Sequence, residues 1–248
     1  MERYDPYCSR VSAASLILAL LVTFLAASIQ GVVGMGFAMV SVPILALSDP
    51  RLAPVPQLLI TMPLTISRAW RERRHVELSG IGWIMGGRIP GVVIGVALLA
   101  VASQATLDVA IAAMVLIGVA VIGSGYHVVR TPYADFGAGV LSGVSGLVAS
   151  IGGPPLAMLY SQDDGPTRRS NLAVIFTLGL TITLGARIVS GNITWDDVLI
   201  GLFLFPALAL GYVASIRLRN RVPQAAARAT ILVLSLGAAI GLIIRAAV

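Results

Sequence analysis

The chain lacks lysine altogether and holds a single cysteine and two histidines among 248 residues, of which only 11% are charged. Each shortage removes a class of protein. Soluble domains carry about 25% charged residues, so this charge content, set beside 57% hydrophobic residues, excludes an ordinary water-soluble fold. One cysteine, Cys8, excludes an internal disulfide framework or a thiolate cluster. The eleven carboxylates (Glu2, Asp5, Asp49, Glu72, Glu77, Asp108, Asp135, Asp163, Asp164, Asp196, Asp197) fall in loops or near the ends of apolar segments, as do His75 and His127. A carboxylate proton relay inside the bundle, common in ion-coupled carriers, is therefore not expected. No mid-segment Ser/His, Asp/Asp or His/Glu constellation is present, which argues against an intramembrane enzyme. The sequence calls for no cofactor and no metal.

All 17 basic residues are arginine, and the formal net charge is +6. They lie at segment ends and in short loops, the pattern of membrane topology signals rather than of a nucleic-acid-binding patch. Apolar segments fall at about 11–33, 36–48, 53–70, 79–102, 106–126, 136–150, 154–161, 171–189, 197–216 and 226–247. A spanning helix needs about 20 residues, so 36–48, 136–150 and 154–161 are short and read as halves of broken or re-entrant helices. The mixed-charge start (Glu2, Arg3, Asp5, Arg10) before a long apolar run reads as a retained membrane segment rather than a cleaved signal.

The short segments flank two glycine-rich interruptions, Gly31-Val32-Val33-Gly34-Met35-Gly36-Phe37 running to Pro43, and Gly143, Gly146, Gly152-Gly153-Pro154-Pro155. At an offset of 112, Gly31 meets Gly143, Gly34 meets Gly146 and Pro43 meets Pro155. At an offset of 116, Thr61 meets Thr177, Thr65 meets Thr181, Arg71 meets Arg187, Pro90 meets Pro206 and Gly95 meets Gly211. The change of offset predicts a four-residue insertion within 161–170. The chain reads as two repeats, 1–130 and 131–248, in one integral membrane domain. Each has a glycine-broken short helix pair followed by three transmembrane helices, giving about 8–10 membrane segments.

Arginine placement orients them. The loop 71–77 is basic and reads cytoplasmic, 103–106 has no arginine and reads external, and Arg130 lies inside. Arg168 and Arg169 precede segment 171–189 on the inner side, 191–197 reads external, and Arg217, Arg219 and Arg221 return inside. Segment 53–70 then runs inward and its counterpart 171–189 outward, so the repeats are inverted. This places both termini outside, together with Arg3, Arg10 and Arg245, against the same rule.

Paired, interrupted helices in inverted halves point to a transporter's binding site; the same glycines would also serve tight helix packing. A helix starting after Gly34-Met35-Gly36 near Phe37, and another after Gly152-Gly153 near Pro154, would present unpaired N–H groups and positive dipole ends, an anion site without a charged side chain. Gln57, Thr61 and Thr65 recur every fourth residue on one helix face, and Thr177 and Thr181 repeat the pattern with Asn171 nearby; threonines also bond their own helix carbonyls. Ser41 and Ser150 flank the breaks as hydroxyl donors. Arg88 stands about nine residues into its segment, where it would bind an anion or snorkel to the headgroups. Arg68, Arg187 and Arg228 lie nearer segment ends and read as topology signals.

Residues Gly31–Pro43 and Gly143–Pro155, in an apolar chain of this length, resemble the paired signature of the sulfite exporter TauE/SafE family, with the usual first-half run of adjacent glycines reduced to Gly34-Met35-Gly36. The resemblance covers essentially the whole chain. It implies a multi-pass permease of the plasma membrane for sulfite or small organosulfonates, usually acting in export.

The resulting expectation is an all-α polytopic membrane protein in the plasma (inner) membrane. It exports a small oxyanion by alternating access, held by Gly34, Gly36, Ser41, Pro43, Gln57, Thr61, Thr65, Arg88, Ser150, Gly152, Gly153, Pro154, Asn171, Thr177 and Thr181. Its partners are the anion and the lipid bilayer, with no nucleic acid; homo-oligomerisation stays open. The alternatives are a membrane subunit that assists assembly of another complex, and a transporter of a cation or neutral metabolite.

Overall fold

Helix-starting signals in the sequence are met by local hydrogen bonds. Ser12 Oγ accepts the Ser15 N–H at 3.0 Å and opens α1 (Ala13–Val33), and Thr131 Oγ1 accepts the Ala134 N–H at 3.2 Å ahead of Pro132 to open α6 (Pro132–Ala149). These are N-caps, which satisfy backbone donors that the helix itself leaves orphaned. The computed structural model describes residues 11–77, 79–125, 127–218 and 221–247; Glu2, Arg3, Asp5, Cys8, Arg10 and Arg219 lie outside the described residues. Among these the chain is all-helical. α2 (Phe37–Ser48) follows α1, and a 3-10 turn at Pro50–Leu52 leads to α3 (Val55–Glu72). Then come α4 (Ile81–Val101), α5 (Gln104–Ser124), α6, α7 (Gly153–Leu159), α8 (Gly165–Val189), α9 (Trp195–Leu218) and α10 (Gln224–Ala247).

Six of them, α1, α4, α5, α8, α9 and α10, are long and apolar enough to cross a membrane. Their exposed faces carry large apolar side chains such as Leu21, Ile89, Val93, Ile117, Leu202, Leu210 and Val233. Helices of this length with apolar outer faces suit the hydrocarbon core of a bilayer. α3 is inverted in character: it exposes Ile66 and Trp70 while burying Gln57, Thr65, Arg68 and Glu72. α8 buries Arg169, Ser170, Asn171, Thr183 and Arg187 and exposes Ile188 and Val189. The two helices pack on each other, so these polar groups are buried between them, and buried polar residues of membrane helices commonly mark function.

The remaining packing exchanges helices between the halves. α1 lies along α9 and α4 along α6; α2 contacts α10 and α7 contacts α5. The α4–α6 contact is backbone to backbone. A methyl at Gly87 or Gly91 would strike the carbonyls of Phe136 or Val140, and one at Gly139 or Gly143 those of Ile84 or Arg88. Small residues at four-residue spacing allow such approach between membrane helices. Packing thus accounts for Gly143, and for Gly31, where a Cβ would meet Ser215 on α9.

Three sequence expectations need correction. The helix over 136–150 begins earlier than its apolar run: α6 starts at Pro132 and runs 18 residues, because Thr131-Pro132 nucleates it, and it is not among the six membrane-crossing helices. α8 likewise begins at Gly165, so Arg168 and Arg169 lie within its first turns. And the shift from 112 to 116 is absent: α1 ends at Val33 and α6 at Ala149, while α2 starts at Phe37 and α7 at Gly153. Both breaks therefore keep the offset of 116 and no insertion is needed; Gly34 corresponds to Ser150 and Gly36 to Gly152. Arg245, which sat awkwardly with the orientation rule, is neutralised. Its Nη2 bonds Asp108 Oδ2 at 2.6 Å and its Nη1 the Leu47 carbonyl at 3.1 Å.

Candidate functional site

α1 and α2 are joined by Gly34-Met35-Gly36, with φ +99° at Gly34 and +109° at Gly36. This is the left-handed region, which glycine enters without the steric penalty of a Cβ. Gln30, one turn before the end of α1, places Oε1 2.9 Å from the Phe37 N–H and so caps α2. The N–H groups of Ala38 and Met39 have no acceptor among the described residues. The second break is Ser150-Ile151-Gly152. Ser150 sits at φ +58° and donates from Oγ to the Pro54 carbonyl at 3.2 Å. α7 is only seven residues long, and because Pro154 and Pro155 lack N–H groups, Gly153 supplies the one backbone donor among its first three residues.

Both breaks line one cavity of about 60 Å³. A buried site needs about 10–15 Å³ per water, so this volume suits a few waters or one small oxyanion. Met35, Gly36, Phe37, Ala38 and Met39 come from one side, Ser150 to Gly153 from the other, and Thr61, Thr65, Phe176 and Leu180 close it. Arg88 reaches in from α4. It is 3% exposed, its Nη1 donates to Ser142 Oγ at 2.8 Å, and Ser142 Oγ donates to the Gly152 carbonyl at 2.7 Å. Its Nε has no acceptor and no carboxylate pairs with it among the described residues. Gly146 and Gly179 make the space for the guanidinium: a Cβ at Gly146 would lie 3.0 Å from Nη2, and one at Gly179 would collide with Cζ.

Of the fifteen residues singled out from sequence, Gly36, Thr61, Thr65, Arg88, Ser150, Gly152 and Gly153 share this cavity. The others lie elsewhere. Gly34 caps α1 against Arg169 and Arg68. Ser41 donates to the Phe37 carbonyl at 2.9 Å, Pro43 is buried inside α2, and Gln57 Nε2 turns to the Leu52 carbonyl at 3.4 Å. Pro154 packs towards Gly118. Asn171 Oδ1 accepts the Glu77 N–H at 2.8 Å, bracing the loop after α3. Thr177 and Thr181 donate to the carbonyls of Ala173 and Thr177, and Thr61 and Thr65, though in the cavity, donate to Gln57 and Met62.

Sequence reasoning missed Gln30, Ser142, Gly146 as a neighbour of Arg88, and Gly179. The available signal was weak: one glutamine and one serine within apolar runs, visible only once a partner is known. It also set Arg68 and Arg187 aside. Arg68 is 1% exposed, with Nη1 and Nη2 lacking acceptors. Arg187 Nη2 donates to the Leu147 carbonyl in the last turn of α6, a favourable place for a cation.

A small cavity with polar donors, formed where two interrupted helices meet inside an apolar bundle, is the arrangement of membrane transporters. The chain is a multi-pass membrane protein of that class. It matches the sulfite exporter TauE/SafE family over residues 19–242 and belongs to it. The family comprises membrane transporters of sulfite and sulfonate type, not enzymes. No curated protein and no solved structure matches the chain.

Proposed function

We propose that the protein exports a small oxyanion, sulfite or an organosulfonate, by alternating access around the cavity at the two breaks. The observation that carries this reading is Arg88: a buried cation facing the cavity, without a carboxylate partner among the described residues. An isolated charge at membrane depth is expensive, and an anion in the cavity would compensate it. The unbonded N–H groups of Ala38 and Met39 and the positive end of α2 add to the same field. α7, short and proline-rich, adds little. Residues 1–130 and 131–248 form two inverted repeats; the constant offset of 116 and the exchanged pairs α1–α9 and α4–α6 support this. Among the described residues no carboxylate lines the cavity to couple a proton, and the anion gradient and the membrane potential drive transport. An inside-negative potential favours anion export by about 2.3 kcal/mol per charge per 100 mV.

The test is radiolabelled sulfite flux into proteoliposomes, with sulfoacetate and chloride as competitors, for the wild type, Gly153→Leu and Arg88→Ala. Saturable flux that disappears in both folded variants and follows an imposed potential is expected. Flux abolished by collapsing a pH gradient at clamped potential would refute the driving force. No flux of any anion under either sign of potential would refute the substrate class and favour the assembly-subunit alternative.

A further inference from the structure

A second cavity, of about 150 Å³, lies behind the first break. Met35 lines both cavities and is 8% exposed, so its side chain, on a two-glycine linker, is part of the wall between them, with Ile231 against Gly36. The second cavity has no role in the site described above. Its polar lining comes from Ser161 and Gln162 after α7, Arg168 in the first turn of α8 and Arg228 in the second turn of α10. The two arginines come from different helices into one space, and Arg168 Nη2 is tied towards α10 by Gln224 Oε1 at 3.4 Å. Neither forms an ion pair with a carboxylate among the described residues. Asp163 and Asp164 precede α8 but do not line the cavity, and the adjacent Arg169 turns away to Glu72 Oε2 at 3.4 Å.

We propose that this cavity is a second anion-binding site, a vestibule on the arginine-rich face in which Arg168 and Arg228 collect an oxyanion before it passes Met35. The assignment rests on the permease reading for the choice of ligand. Guanidinium groups bind oxyanions through paired N–H donors, and a cleft lined by one sign of charge raises the local concentration and on-rate of an opposite ion by about 10 to 10³. The larger volume leaves more room for the anion's water than the 60 Å³ cavity beyond Met35 does.

The experiment is equilibrium binding of radiolabelled sulfite to the full chain in neutral-lipid nanodiscs, paired with flux from each face of proteoliposomes. The wild type should show two classes of site. The double variant Arg168→Gln, Arg228→Gln should lose the weaker, salt-sensitive class and raise the ratio of KM values between the arginine-rich and opposite faces about tenfold. Either single change should move that ratio in the same direction, and Arg168→Lys, Arg228→Lys should restore it. Wild-type stoichiometry and an unmoved ratio in the double variant would overturn the vestibule, as would a wild type with a single class that Arg88→Ala removes. Loss of the weaker class on adding phosphatidylglycerol would also overturn it, by assigning the arginines to lipid headgroups. A weaker class that depends on the arginine pair in a protein without flux would keep the vestibule and refute the permease reading.

Discussion

The two helix breaks lie 116 residues apart and line one cavity, yet they are built from different chemistry. The first uses two glycines at positive φ and is closed by Gln30, whose side-chain oxygen takes the first N–H of α2. The second places a serine in the left-handed region and is closed by hydroxyls: Ser150 to the Pro54 carbonyl and Ser142 to that of Gly152. Their contributions to an anion also differ. The first leaves the N–H groups of Ala38 and Met39 unbonded, whereas the prolines of α7 remove most donors from the second. What the second has instead is Arg88, tethered to it through Ser142. The two breaks thus offer an anion different groups, unbonded backbone donors at the first and the Arg88 guanidinium of α4, held through Ser142, at the second.

The largest effect should come from forcing a branched side chain into the first break. Gly34→Val would hold a β-branched residue at φ +99° with its Cβ 2.9 Å from Arg169 Cγ, and should destabilise the protein by about 3 kcal/mol. Ser150→Val, at a position where a non-glycine residue already tolerates φ +58°, should cost about 1–2 kcal/mol. Thermal unfolding in detergent checks both, and equal losses would erase the distinction between the breaks.

Next comes the charge. Hydrogen bonds to charged groups contribute about 1.5–3 kcal/mol, so Arg88→Gln should lower sulfite flux by about 10- to 100-fold while the variant stays folded. Gly179→Ala, whose new methyl would displace the guanidinium, should lower flux about tenfold or more. Gly185→Ala, on the same helix with open space around it, should leave flux unaltered and gain up to about 1 kcal/mol of stability. If both alanines behave alike, the position of Arg88 does not govern transport.

How far the sequence could be read follows from these same residues. Segment positions were legible because apolar runs and cap residues are local properties, and the described helices fall within a few residues of the expected bounds except where Pro132 and Gly165 started helices inside polar sequence. The expected pairing of the two breaks needs a different alignment, since their helix bounds lie 116 residues apart. Matching glycine to glycine paired Gly34 with Gly146, whereas the chain pairs Gly34 with Ser150, because what recurs is a left-handed cap rather than a residue type. Gly31 and Gly143 confused the signal further, since both serve helix packing. Buried polar contacts such as Arg88 with Ser142, 54 positions apart, leave no local trace.

Ser150→Gly tests that alignment directly. It removes the Oγ hydrogen bond to Pro54, worth about 1 kcal/mol, but also relieves a left-handed conformation worth about 1–2 kcal/mol to an L-residue. The net change in stability should lie within about 1 kcal/mol of zero. Ser150→Ala loses the bond and keeps the strain, so it should be the less stable of the two by thermal unfolding. The reverse order would show that the hydroxyl, not the backbone, defines the second break.

The smallest expected effect separates the paired threonines. Thr61 and Thr177 share the offset of 116, but Thr61 lines the cavity and Thr177 does not. Each hydroxyl donates to a carbonyl of its own helix, Gln57 at 2.6 Å and Ala173 at 2.8 Å, so neither has its proton directed at a substrate. Thr61→Val therefore removes only polarity from the wall of the cavity and should raise the KM for sulfite about threefold, on the order of 0.5–1 kcal/mol. Thr177→Val should leave KM unchanged and slightly strengthen α8 by removing a hydroxyl that competes for helix carbonyls. Equal KM increases for the two substitutions would mean that the anion also contacts the Thr177 face of α8 during transport, and that the halves are more alike in the working cycle than the two breaks are in this conformation.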